Sequence, residues 1–527
     1  MLTDSRTETV IAVEDGVDIR HIRMSSPLPD TFPEHPAGLD ELHYLRYRSA
    51  TGPTESADAE AILVMHPGTW AGGQSLDRLA RNVVRAAAER GRSIEWWSVA
   101  RRSEGSTDLT GIHAAYAVDD PGLAIDYYFR GKSVGGSTFE GFRGRDRQGF
   151  LAELGLRGVV EDQHELLVRE LPDPDVRRAK VYLGGHSLGG LMAGAYAAWD
   201  FDGVPGHELC AGLIAIDTLV GTDPLNLHRF PRLRRAAGAA HGAVLSGLRR
   251  GVIPASTPPG GAGLAKMWTL IHILGVAAAC EAEVETDVLR RIPRTPGWEA
   301  LLRVLGARRY RDLLSRDASV RELRVTGTAA FGLATGTPHL PIDALTSSMG
   351  SLVGPTAPRT TFPVPRSAHR IPGVRRAVRA AFGAPTAVAS DRTTLYRWRQ
   401  GGSADIGQLA RSLAAGPLAT FESYFPMRVH YDLWTALAGA CTDDLAGHRH
   451  AAGAARLPTL HVLGDRDSLV PVLLRASRLM PTERTHAAGY RHLDMVTGTG
   501  VPGEPVSTAI TDFLEAHMIP AVSQESA

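Results

Sequence analysis

Short apolar runs alternate with helical patterns through the first 220 residues. Three strand-like stretches, 9–13, 17–24 and 42–48, open the chain. Residues 61–65 (Ala-Ile-Leu-Val-Met) form a continuous apolar run, the pattern of a strand covered on both faces. The segment 75–90 repeats its apolar residues near helical spacing and stops at Gly91, and 93–99 with Trp96 and Trp97 is the next strand. A helix is expected over 161–170, then an apolar strand ending at Leu183 and another at 212–217. Alternation of this kind predicts an α/β fold, a mostly parallel twisted sheet flanked by helices. After Asp217 the pattern stops and resumes only at Leu457. The segment between is rich in Ala, Leu and Arg with Pro/Gly breaks, and is expected to be mainly helix. The stretch 354–365 within it also suits a disordered surface insertion.

The chemistry is concentrated at Gly184-Gly185-His186-Ser187-Leu188-Gly189-Gly190. A strand precedes it and a helix-forming run, Leu191 onward, follows. Glycines allow a sharp turn that lifts the serine hydroxyl above the sheet edge, as in a G-x-S-x-G nucleophile elbow. Such a serine forms a covalent acyl ester when a base, an orienting carboxylate and oxyanion donors surround it. The N–H after the nucleophile, that of Leu188, is one expected donor. Downstream, a strand from Leu457 runs into Gly464-Asp465-Arg466-Asp467-Ser468, and another short strand leads into Tyr490-Arg491-His492-Leu493-Asp494. The chain order Ser, Asp, His is that of an elbow-type hydrolase. His186 is read as a residue packed under the elbow.

On these pieces the chain resembles the α/β-hydrolase superfamily. The resemblance implies that fold, with a large helical cap inserted after the sixth core strand. The expected division is a core over 1–221 and 451–527 and a cap over 222–450. By the G-x-x-D pattern the acid is Asp467, and the base is His492. Asp465 competes for the acid role, and so does Asp217, since some relatives place the acid one strand earlier. His66-Pro67-Gly68-Thr69 is similar to the family's H-G-x loop, with Pro67 inserted; by that match Thr69 gives the second oxyanion N–H, with Trp70 as the alternative. A lid over such a site lines the substrate pocket, and Trp70, Trp268, Tyr424 and Phe425 are the candidate substrate-binding residues. The expected reaction is cleavage of a carboxylic ester, thioester or lactone with a bulky or hydrophobic portion, with no cofactor and no metal. An acyltransferase or cyclising thioesterase would use the same acyl-enzyme. A non-catalytic binding protein is the rival from another class.

Composition narrows the partners. With 57 basic and 57 acidic residues the 527-residue chain has no net charge, which argues against a nucleic acid or an anionic membrane surface. The basic charge is almost all arginine, and the only lysines are Lys132, Lys180 and Lys266, as in a GC-rich bacterial genome. Cys210, Cys280 and Cys441 are scattered and read as reduced thiols of a cytoplasmic protein. No secretory h-region follows Met1. The apolar run 267–280 falls short of the ~20 residues that span a bilayer and suits a buried or lid helix. Gly131-Lys132-Ser133 lacks the rest of a phosphate loop, and His448-Arg449-His450 lacks a third ligand, so neither is expected to be a site.

Overall fold

In the computed structural model, residues 5–220, 230–256, 262–342, 345–440, 442–464, 482–501 and 503–518 are described. Nine strands form the main sheet: β1 (Arg6–Glu14), β2 (Val17–Ser25), β3 (Glu41–Ser49), β4 (Ala61–His66), β5 (Ile94–Val99), β6 (Val181–His186), β7 (Gly212–Ile216), β8 (Thr459–Gly464) and β9 (Glu483–Ala487). Their spatial order is β1-β2-β3-β5-β4-β6-β7-β8-β9. β1, β2, β3 and β5 pair antiparallel in turn; from β5 onward every pairing is parallel. This is the mostly parallel sheet predicted from the run pattern. β4, β5, β6, β7 and β8 are buried at every residue, which is why β7 and the first five residues of β4 read as apolar runs rather than alternating ones.

Helices cover both faces. Asp77–Glu89 joins β4 to β5 and turns Leu79, Ala80, Val83, Val84 and Ala87 inward, where it meets the C-terminal helix Pro505–His517. It ends where the sequence predicts: Gly91 adopts φ +73°, and the N–H groups of Gly91 and Arg92 close on the carbonyls of Ala88 and Ala87. Leu188–Ala197 packs on β6, and Leu156–Glu170 packs against that helix.

The long insertion follows β7, the seventh strand of the sheet in chain order rather than the sixth. It is also less purely helical than expected. Besides helices such as Ala262–Cys280, Gly327–Thr335, Ile406–Ala415 and Met427–Leu437, it holds a four-stranded sheet (Glu285–Thr286, Arg324–Thr326, Leu395–Gln400, Gly350–Val353) and the pair Thr356–Pro358 with Ala387–Ala389. The strand Leu395–Gln400 shows why: Tyr396 and Trp398 are buried while Arg397 and Arg399 are exposed, a period of two. Thr110–Ala117 and Pro121–Arg130, which precede β6 in the chain, share one apolar core with the insertion.

Ala262–Cys280 contains the apolar run 267–280. By length and composition its Gly263–Cys280 stretch could cross a membrane, with mean hydropathy 1.5, yet 61% of it is buried inside the protein. It packs against Gly327–Thr335 and Ile406–Ala415 so closely that a Cβ on Gly275 would lie 2.6 Å from Leu413.

Candidate active site

The serine sits on a strained turn. Ser187 follows β6 directly, with φ 55° and ψ −120°, a conformation that is costly for any side-chain-bearing residue, by roughly 1–3 kcal/mol. Its N–H bonds the Ile216 carbonyl at the end of β7 (3.0 Å). The flanking glycines are required by approach distance: a Cβ on Gly189 would come within 2.1 Å of the His66 carbonyl, and one on Gly185 within 2.4 Å of it. The elbow is thereby pressed against the end of β4, and the hydroxyl is presented at the carboxyl ends of the strands.

The histidine reaches this level from the far side of the sheet. His492 lies in the loop between β9 and the short helix Asp494–Thr497. Asp494 anchors that loop: it accepts the Arg491 N–H (2.9 Å) and, across to the insertion, the Ser348 N–H and hydroxyl (both 2.7 Å). The His492 imidazole places Nδ1 2.7 Å from Asp217 Oδ2. A carboxylate accepts, so Nδ1 carries the hydrogen and Nε2 keeps the basic lone pair.

Among the described residues, Asp217, the competitor that the sequence offers beside Asp467, is the carboxylate bonded to His492. Asp465 and Asp467 lie outside the described residues. β7 and β8 are adjacent parallel strands with Ile216 opposite Val462. Asp217 is held there by both strands. Its N–H bonds the Val462 carbonyl (2.7 Å), and its Oδ1 accepts the Gly464 N–H (3.1 Å). Its carboxyl is 1% exposed. Burial alone would raise its pKa, but the bond and charge of His492 and the Gly464 N–H together hold it below the ordinary range.

His186 packs under the base. Its ring centroid is 4.3 Å from that of His492, and its Nε2 donates to the His492 carbonyl (2.9 Å). Burial, then the neighbouring His492, pushes its pKa down to about 3. The sign for stability follows. Below the ordinary imidazole value of 6.5, the unfolded chain protonates this residue while the folded chain refuses the proton down to about 3. Buried His66 and His272, each pushed by burial to about 4, act in the same direction. Unfolding free energy should thus fall between pH 7 and pH 4, by up to about 1.4 kcal/mol per pH unit for each such histidine. Urea titrations at several pH values check this; a flat profile would contradict the neutral buried rings.

The loop after β4 lies against the serine. A Cβ on Gly68 would sit 3.1 Å from Ser187 Cβ. The Ala71 N–H closes on the Gly68 carbonyl (3.3 Å), and Trp70 takes φ 62° at the turn position that favours glycine. Thr69 Oγ1 is 3.1 Å from Nε2 of His430, which belongs to the helix Met427–Leu437. Among the described residues no backbone carbonyl takes the Thr69 N–H. Leu188 opens its helix, so its N–H has no partner within that helix. Leu188 follows Ser187 directly, and Thr69 follows the Gly68 that lies against it.

The candidate aromatics take different places. Trp70 is half-buried on the loop. Trp268 is 1% exposed and stacks on Phe421 (centroids 4.5 Å apart). Phe425 is buried between Arg101 and His430. Tyr424 accepts the Arg143 N–H (2.7 Å) and lines a cavity of about 440 Å³ with Tyr127, Tyr128, Phe139 and Phe142, a cavity that Ser187 does not line. Trp268 and Phe425 are therefore core residues of the insertion and its seam, as most aromatics are. Missing from the sequence reading are His430, Arg101 and Glu422. Only Arg101 carried a signal, as a charged residue just past the carboxyl end of a core strand.

No protein-family model matches the chain, and no curated protein matches it significantly. Solved structures do. The peroxisomal alpha-beta-hydrolase Lpx1 of Saccharomyces cerevisiae is 12% identical, with 98% of this chain and 93% of that one covered and a TM-score of 0.36. An alpha/beta hydrolase fold protein from Nakamurella multipartita is 12% identical over 92% of this chain and 99% of its own, with a TM-score of 0.29. The juvenile hormone epoxide hydrolase of the silkworm Bombyx mori is 10% identical over 98% and 80%, with a TM-score of 0.32.

Proposed function

From the mostly parallel sheet with Ser187 on a strained turn at a strand's carboxyl end, we propose that the chain is an α/β-hydrolase-type serine hydrolase acting on a carboxylic ester, thioester or lactone. The observation that carries this reading is the 2.7 Å bond from His492 Nδ1 to buried Asp217, which leaves a basic Nε2 at the strand end where the strained serine is displayed. Ser187 Oγ attacks the acyl carbon as His492 Nε2 takes its proton. The carbonyl π electrons move onto oxygen, which the Leu188 and Thr69 N–H groups stabilise. Collapse breaks the bond to the leaving alcohol or thiol, which receives the proton from His492. Water, activated by the same imidazole, then releases the acid. Asp217 holds the ring in the productive tautomer and balances the imidazolium. The long insertion, whose helix Met427–Leu437 reaches Thr69 through His430, supports a bulky or hydrophobic substrate.

Covalent labelling with a fluorophosphonate tests the reading. Intact mass and peptide mapping should show one adduct, on Ser187, absent from Ser187→Ala. A folded protein that takes the adduct elsewhere, or takes none from a small probe that also fails to turn over as an ester, sinks it. Product analysis with added alcohols or amines separates hydrolysis from acyl transfer.

A further inference from the structure

We propose that Arg101, paired with Glu422 of the insertion, is the positioning residue that orients the 67–71 loop so that its Thr69 N–H faces Ser187; the inference rests on the acyl-transfer reading above. Arg101 stands just past β5, and its side chain is 1% exposed. Its guanidinium donates to the carbonyls of Pro67 (3.1 Å), Gly68 (3.2 Å) and Ala71. In a trans peptide the C=O and N–H point in opposite directions. With the Gly68 carbonyl turned to Arg101, the Thr69 N–H must point away from it, and the loop's other side is the one against Ser187.

The insertion fixes the remaining peptides. Glu422 donates its N–H to the Trp70 carbonyl (2.8 Å), the Gly72 N–H reaches the Thr420 carbonyl (3.0 Å), and Ala71 bridges to Phe421. Glu422 then closes the circuit by accepting from Arg101 Nε (3.0 Å) and a terminal nitrogen (2.7 Å). The Phe425 ring lies 5.1 Å from the guanidinium carbon. Nearby Glu104 accepts the Gly73 N–H (2.9 Å), and burial, then the Glu422 charge, pushes its pKa up to about 8. Burial raises the Glu422 carboxyl as well, against the charge and hydrogen bond of Arg101, which lower it. Buried pairs of this kind contribute little net stability compared with apolar replacements. The loop, by contrast, carries Trp70 at positive φ and needs an external hold.

The test uses Arg101→Met/Glu422→Leu, Arg101→Lys and Ser187→Ala in the full chain, with p-nitrophenyl butyrate as probe. The double variant removes both charges, so its unfolding temperature should stay close to the parent's. Its kcat should drop about 10²–10³-fold, as when an oxyanion donor is lost, with KM changed less than threefold. Arg101→Lys keeps the charge but not the planar fork that spans three carbonyls, and should lose at least roughly tenfold in kcat while remaining folded. A merely structural pair would instead let activity return with stability. A folded double variant, or a folded Arg101→Lys, with parental kcat overturns the inference alone. A parent protein without Ser187-dependent turnover overturns the acyl-transfer reading and this inference with it.

Discussion

Ser187→Ala should lower turnover of an activated ester by at least about 10⁴-fold while the unfolding temperature stays unchanged. Oγ is the only nucleophilic atom at the elbow, and its loss leaves only binding and oxyanion donors. Alanine at this position meets the same φ 55° as serine, so the strain of the turn is retained and the fold is not relieved into another form. His492→Ala should fall as far, since serine without a base is a weak nucleophile. The two losses should not add: the double variant should be no slower than the worse single one, because each removes the same chemical step. Steady-state kinetics with circular dichroism as a fold control decides the matter. Ser187→Ala with turnover near that of the parent would end the serine-hydrolase reading.

Asp217→Asn should cost about 10⁴-fold in kcat, against a few-fold at most for Asp467→Asn or Asp465→Asn. The asparagine is isosteric but can present an amide donor to His492 Nδ1. That favours the tautomer with hydrogen on Nε2, which cannot accept the serine proton. Because Asp217 is held below the ordinary carboxylate range, it stays ionised across neutral and mildly acidic pH, and its contribution to stability is lost only as the pH falls below about 4 toward its lower folded value. Parallel kinetics of the three variants is sufficient. A large loss at Asp467 with a small one at Asp217 would give the acid role to Asp467.

These expectations differ in how far they could be drawn from the chain alone. The elbow, the strand runs, the stop at Gly91 and the buried reading of His186 all follow from neighbours within a few positions. Backbone period, glycine conformation and strand burial are local properties, and the structure shows each element within a few residues of where the pattern puts it. The acid was not legible in this way. The register of β7 on β8, with the Gly464 N–H donating to Asp217, brings that carboxylate to a histidine 275 positions away. The small sheet of the insertion was half legible: Tyr396 and Trp398 alternate with arginines, but its partner strands are two to four residues long and acquire meaning only by pairing.

The sequence by itself thus determined the α/β class and the tight turn that carries Ser187, because strand burial and a sharp turn are written in adjacent residues. Tertiary structure alone decided that His492 bonds Asp217, that His430 meets Thr69 across 361 positions, and that Arg101 meets Glu422 across 321. Contacts of that range depend on how layers pack and on which buried charge finds a counter-charge. A strand end can mark Arg101 as a candidate, but no local pattern names its partner, since a glutamate destined for such a pair has the same neighbours as one destined for solvent.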